Sequence, residues 1–238
     1  MLRYLLINLS NAIINCVCHL EIVGKDKIPK DGGCIFAANH LGRLDAFLVY
    51  YVVKRDDIIL TVAEKYKKYA VFRAAAKAID ATWIDRFSSD FGALRQVYRR
   101  LCSGGVLAIA PEGTRSKTGA LIQGKPGAAY LGSKTQVPIY PVAVSGTEDH
   151  LIKKNLKELK KSNVKVIIGD PIYFPCLPRK NRSEFLGRCT AIIMCQIAAL
   201  LPPKYRGSYR DHPILAEFLA SQKGSQPVSS NNVPQIPE

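Results

Sequence analysis

Short apolar runs alternate along the chain with stretches whose apolar side chains recur every three or four positions, so the dominant period switches repeatedly between strand and helix. From Cys34 onward, "CIFAA", "DIILTVA", "ATWID", "VLAIA", "IYPVAV" and "VKVIIG" read as strands. Between and after them, "LDAFLVYYVV", "EKYKKYAVFRAAAKAI", "SSDFGALRQVYRRLCSGG", "KPGAAYLGSKT" and "SEFLGRCTAIIMCQIAALL" read as helices. The third of these opens on Ser/Asp capping residues and closes on glycines, and the fourth carries Pro126 near its first turn. Strands that alternate with helices imply crossover units. The expected fold is therefore α/β, a mostly parallel sheet covered on both faces by helices.

The two ends depart from this rhythm. From Tyr4 to Leu20 there is no charged side chain, and Asn8, Asn11, Asn15 and His19 recur at steps of three and four. Leu2, Leu5, Leu6, Leu9, Ile13, Val17 and Leu20 line the other side. This predicts an amphipathic helix, too short and too interrupted to span a bilayer and lacking a signal-peptide cleavage site. Such a helix can lie in a membrane interface or pack on the protein's own core, and the interface is the reading taken. The expected organisation is an N-terminal membrane-interface helix over 1–24, one domain over 25–205, and a C-terminal extension over 206–238. The Ser/Asn/Pro-rich stretch from about 224 is expected to be disordered.

Composition narrows the partners without choosing one. Lys and Arg number 34 against 19 Asp and Glu, a formal charge of +15, which favours anionic membrane, nucleic acid or phosphorylated small molecules. Six lysines fall between Lys153 and Lys165, either a solvated face or a second membrane signal. The seven cysteines show no Cys-x-x-Cys and no zinc spacing, and most sit in apolar contexts; a reducing compartment and no metal site are expected.

Chemistry enters at strand ends, where open α/β sheets place their ligands. His40 and Asp45 in "NHLGRLD" follow "CIFAA". Within one helix they would lie about 140° apart, so they meet only if His40 is in the turn and Asp45 opens the next helix. "APEGTRS" follows "VLAIA": Gly113 permits close backbone approach, Arg115 offers a forked donor, and Thr114 and Ser116 add hydroxyls. Arg86 in "WIDR" follows a third strand. A base beside two arginines suits a phosphorylated substrate whose hydroxyl must lose a proton. Each residue also has a plainer reading. His40 could be structural, Asp45 a helix N-terminal charge, Glu112–Arg115 a turn ion pair, and Arg86 a partner of Asp85 or Asp90. His150 and His212 read as residues of solvated loops, and Pro138 and Pro141 as shaping a strand edge.

Together these blocks resemble the glycerolipid acyltransferases. "NHLGRLD" is similar to that family's His-x4-Asp block, "WIDR" to its second, "PEGTRS" to its third and "VPIYPVAV" to its fourth, in order across residues 39–144. The resemblance implies transfer of a fatty acyl group from an acyl thioester to the hydroxyl of 1-acylglycerol-3-phosphate. His40 would be the general base and Asp45 its orienting acid; Arg86, Glu112, Gly113, Thr114 and Arg115 would serve the acceptor's phosphate. Glu112 would there orient Arg115 or a backbone amide. It also implies acyl-CoA or acyl carrier protein as donor, no metal or organic cofactor, an anionic membrane surface as partner, and residence on the cytoplasmic face of a membrane. Chemistry agrees on direct transfer, because no Gly-x-Ser-x-Gly nucleophile elbow is present. Three departures stand out. Gly42 replaces a common Ser and Ala110 a common Phe, while "AEKYKKYAVFRAAAKAID" lacks the usual Lys-x-Glu-Leu with following Pro and Gly. These leave glycerol-3-phosphate, another lysophospholipid or an aminolipid as alternative acceptors. A non-catalytic lipid- or nucleic-acid-binding protein would account for the charge, but not for motif blocks at successive strand ends, and no nucleic-acid module is recognisable.

Overall fold

Alternation within one strand sorts the molecule into layers. In "CIFAA", Cys34 and Phe36 pack into one hydrophobic cluster and Ile35 and Ala37 into another, so the sheet is buried on both faces. The computed structural model describes residues 2–85 and 91–224. In chain order it contains α1 (Leu2–Val17), β1 (Cys18–Val23), β2 (Cys34–Ala38), α2 (Asp45–Val53), β3 (Ile58–Ala63), α3 (Ala70–Ala78) and β4 (Thr82–Ile84). There follow α4 (Phe91–Cys102), β5 (Val106–Ile109), α5 (Gly127–Thr135), β6 (Ile139–Ser145), α6 (Asp149–Lys157), β7 (Ser162–Ile168), α7 (Arg182–Leu200) and α8 (Pro213–Gly224).

Among the described residues the strands form one sheet in the order β1-β7-β6-β2-β5-β3-β4. The five from β6 to β4 are parallel, while β7 runs antiparallel to β6 and parallel to β1. The expected α/β fold is observed, with the β1–β7 pair reversed. Helices α4, α5, α7 and α8 cover one face, and α1 and α2 the other. The long α7 is apolar enough to suggest a membrane span, but Cys189, Ile192, Ile193, Met194, Cys195, Ile197 and Ala198 are buried against the sheet; it is a core helix.

Several expectations are corrected. The N-terminal helix stops at Val17, and residues 18–23 pair with β7, which moves Leu20 and His19 from helix to strand. The sheet thus starts before residue 25. Asn15 is not part of a plain solvent-facing stripe: its side chain accepts from the Tyr51 hydroxyl at 2.8 Å, and its carbonyl from Lys161 Nζ at 2.7 Å. Exposed on α1 beside Asn8 and Asn15 are Leu2, Leu5 and Leu9. The single helix expected over 64–79 is broken. Glu64–Tyr66 form a 3-10 turn and Tyr69 is extended before α3 begins. The Ser/Asp caps expected before α4 lie outside the described residues.

The hydrophilic "TEDH" stretch is no loose loop. Thr147 is fully buried, Glu148 nearly so, and Asp149 and His150 begin α6. In the lysine run, Lys160 pairs with Glu158 and Lys165 with Glu21. Pro141 sits in an interior strand rather than at an edge. Ile139 N–H donates outward to Ile172 O, so two residues on, the nitrogen of Pro141 faces the same way, beyond the last residue of β7. A missing donor there breaks no ladder bond.

The expected extension from residue 206 is structured as far as Gly224. Tyr205 and Tyr209 are buried, His212 sits in the turn before α8, and Leu215 of α8 is wholly buried against α7. Leu215→Ala is therefore expected to destabilise the protein by about 2–5 kcal/mol, read as a lower urea midpoint with an unchanged slope.

Candidate active site

The turn after β2 is held by side chains acting as extra strand. Asn39, buried, donates through Nδ2 to Val144 O at 2.8 Å and accepts from Val144 N at 2.7 Å, extending the β2–β6 ladder by one side chain. That fixes where His40 begins. One His40 ring nitrogen, Nδ1, lies 2.7 Å from Asp45 Oδ2, and the same oxygen accepts from the amides of Leu41 at 2.8 Å and Gly42 at 3.0 Å. Asp45 is also the first residue of α2, so the same carboxylate that faces the His40 ring stands as a helix N-terminal charge. With Nδ1–H given to Asp45, Nε2 is the nitrogen left to accept a proton.

The backbone of His40 is clamped from the loop after β5. Glu112 is only 2% exposed. Its Oε1 accepts from His40 N at 2.9 Å and its Oε2 from Ile122 N at 3.0 Å, while Ser116 N donates to His40 O at 2.9 Å. Burial raises the Glu112 carboxyl above its usual range, opposed by the two amides it accepts from. Both oxygens are taken by amides and Arg115 is paired elsewhere: of the expected alternatives for Glu112, amide orientation is the one observed.

Arg115 pairs instead with Asp149, Nη1 to Oδ2 at 2.7 Å, and Asp149 Oδ1 also accepts from Arg43 N at 2.9 Å. The plainer reading of a Glu112–Arg115 turn ion pair is therefore not what forms. The "TEDH" segment therefore buttresses both the His40 turn and the "PEGTRS" loop. It packs so closely that a Cβ on Gly42 would stand 1.9 Å from Thr147 O. Absence of a side chain at 42 is what lets the two segments meet.

Beside this frame lies an apolar cavity of about 510 Å3. His40 and Asp45 stand in its wall with Asn39, and Leu48, Val49, Val52 and Val53 of α2 line it opposite Phe36, Val142, Val144, Val166 and Ile168 of the sheet. Gly113, at φ +69, and Lys125 close the same wall, with Lys125 lying over the space a Gly113 side chain would fill. Thr114 is exposed, and neither it nor Arg115 lines the cavity. Arg86 lies outside the described residues. Sequence reasoning missed Lys125, Asn39 and Asp149. Lys125 stands before Pro126 at the α5 N-terminus, and a basic residue leading into a helix start was the available signal. The others had none, because their roles depend on long-range packing.

Burial pushes the Cys34 thiol up to about 12 and those of Cys189 and Cys195 to about 11, which disfavours these three as nucleophiles. Among the described residues, no group of three His, Cys, Asp or Glu side chains could hold a metal ion.

A family model described as Acyltransferase matches residues 19–145, more than half of the chain. The chain belongs to the acyltransferase family. This acyltransferase is 31% identical over 143 residues to a 1-acyl-sn-glycerol-3-phosphate acyltransferase of Cocos nucifera, covering 58% of the chain but only 45% of that protein. It is 25% identical over 179 residues to a protein so named from Bacillus subtilis, covering 74% of the chain and 86% of the relative. The crystal structure of the Thermotoga maritima LPA acyltransferase PlsC superposes with a TM-score of 0.59 over 79% of each chain, at 22% identity, a likeness of fold.

Two outcomes follow for this acyltransferase. Glu112→Gln replaces one acceptor oxygen with an NH2 group that must face an amide donor, so it is expected to cost about 1–3 kcal/mol, seen as a lower melting temperature. Gly42→Ala, and equally Gly42→Ser, is expected to cost about 1–3 kcal/mol through overpacking against Thr147, read from the urea midpoint.

Proposed function

We propose that the chain transfers a fatty acyl group from an acyl thioester to the free hydroxyl of 1-acylglycerol-3-phosphate, giving phosphatidic acid. The observation that carries this reading is the 2.7 Å His40–Asp45 contact set in the wall of an apolar cavity. His40 Nε2 takes the hydroxyl proton as that oxygen attacks the thioester carbonyl. The tetrahedral intermediate then collapses, the C–S bond breaks, and the imidazolium returns its proton to the departing thiolate. Asp45 holds the tautomer and steadies the imidazolium without becoming protonated, as an aspartate does in a hydrolase triad. The cavity takes acyl chain; Lys125, with Arg115 oriented nearby by Asp149, supplies positive charge for the acceptor's phosphate.

The relatives' printed names favour this acceptor. The donor is acyl-CoA or acyl carrier protein, and no metal or organic cofactor takes part. The protein works at an anionic membrane surface on its cytoplasmic face, with the exposed Leu2, Leu5 and Leu9 line of α1 turned to the lipid. A second reading keeps the chemistry and changes the acceptor to glycerol-3-phosphate, another lysophospholipid or an aminolipid. What favours it is the altered segment from Glu64 to Asp80, which follows directly on β3, a strand that lines the cavity through Leu60 and Thr61.

Purified protein given oleoyl-CoA and each acceptor in turn, with free thiol and lipid product both followed, decides between them. Lysophosphatidate is expected to give the highest kcat/KM. His40→Ala is expected to lower turnover by about 10²–10⁴-fold with an unchanged melting temperature. A variant retaining near-full rate would remove His40 from the mechanism, and faster transfer to another acceptor would select the second reading.

A further inference from the structure

The segment after β3 is exposed over a long run. From Lys67 to Ala74, eight consecutive residues are exposed, so the first turn of α3 stands out from the body on all sides. A solvated helix tip would be polar all round. This one carries Tyr69, Val71 and Phe72, with Val71 79% exposed. Tyr66 stacks on Phe72 at 5.0 Å between ring centroids, and Tyr69 lies 6.0 Å from Phe72. The ammonium groups of Lys65 and Lys68 sit over the rings of Tyr66 and Tyr69, at 5.2 and 5.1 Å. Arg73 ties the turn by donating to the carbonyls of Lys67 and Lys68. Across 64–80 there are five basic side chains, Lys65, Lys67, Lys68, Arg73 and Lys77, against Glu64 and Asp80. Glu64 is paired with Lys67, and Asp80 with Arg100.

We propose that the Lys65–Phe72 tip is a membrane anchor: Val71 and Phe72 enter the acyl boundary of an anionic bilayer, with the tyrosines at headgroup level and the lysines on phosphates. Charge complementarity and ring chemistry carry the choice. Tyrosine rings and snorkelling lysines at the edge of an exposed aliphatic–aromatic tip match the layering of a lipid interface. A flat protein partner would leave a protruding tip partly uncovered. Position agrees, because α3 touches α1, whose Leu2, Leu5 and Leu9 are also exposed, and β3 leads from the cavity wall at Thr61 into the tip. The anchor thus sits where lipid has to enter. The proposal deepens the reading above, taking from it only that the acceptor is a membrane lipid.

The test reads binding without turnover. The full chain is sedimented with vesicles of phosphatidylcholine alone or mixed equally with phosphatidylglycerol. Val71→Asp/Phe72→Asp is expected to lower partitioning onto the mixed vesicles at least about tenfold, and Lys65→Glu/Lys68→Glu about fivefold per lysine. Lys153→Glu/Lys154→Glu on α6, of equal charge change, is expected to leave partitioning within about twofold. The melting temperature of the tip variants is expected to be unchanged, showing that the fold is intact. Equal losses from the α6 and tip lysine pairs, with none from V71D/F72D, would reduce the binding to generic charge and overturn the anchor. Unaltered vesicle binding by V71D/F72D, with transfer lost only when acyl carrier protein is the donor, would make the tip a carrier-protein dock and overturn it too. So would a dimer in sedimentation velocity that V71D/F72D dissolves while vesicle binding persists. Should no acceptor turn over while the tip variants still lose vesicle binding, the anchor stands and the enzymatic reading falls.

Discussion

A carboxylate with no access to solvent has to find donors within the protein, and in this fold Glu112 finds them on two different segments. Its oxygens accept from His40 N and Ile122 N, so one buried charge fastens the turn after β2 to both ends of the loop after β5. Ser116 N completes the clamp on His40 O. Neither loop has regular structure of its own, and without these bonds each would carry unsatisfied amides beside an apolar cavity. The cavity, the histidine and the glycine-containing wall keep their relative places because that carboxylate is where it is. Burial that raises its pKa is thus a consequence of building the site around it. A raised carboxyl pKa also fixes the sign of its pH linkage. Ionising Glu112 costs folding free energy as pH rises from the unfolded to the folded value, and above the folded value the penalty is constant.

Around this clamp the site is layered. Asp45 serves the His40 ring and the amides of Leu41 and Gly42 with a single oxygen, and its other oxygen is buried with no partner among the described residues. Asp149 performs the same double duty one shell further out, holding Arg115 and the Arg43 amide. Gly42 is the point where these supports touch, where even a methyl group would overlap a carbonyl. Such a frame leaves the His40 ring one fixed orientation against Asp45.

Much of this was legible in the sequence because it is local. Strands such as "CIFAA" and "VLAIA" and helices such as α5 and α7 follow from period and punctuation, and His40 and Asp45 meet as their spacing across a strand–turn–helix requires. What failed to show was non-local. Polar side chains in "TEDH" look solvated until α6 and the Gly42 turn are packed around them. Glu112 looks like Arg115's partner until Ile122 and His40 compete for it. Strand β1 hides inside an apolar helical pattern because only pairing with β7 distinguishes the two, and the interior position of Pro141 depends on where β7 ends. At 64–79 the helical period is real, but the extended Tyr69 splits it, which periodicity does not report.

The segment between α7 and α8 gives the site a history as well as a shape. Tyr205 O accepts from Leu121 N, Ser208 N donates to Leu121 O, and the Tyr209 hydroxyl accepts from Gly124 N, so the far end of the "PEGTRS" loop is laced to residues some 85 positions later. During synthesis, His40, Asp45 and Glu112 leave the ribosome long before those ties exist. A nascent chain halted before residue 205 would already hold His40 and Asp45, facing a loop that still lacks these ties. The frame around the cavity is therefore completed late, by a segment far from it in sequence.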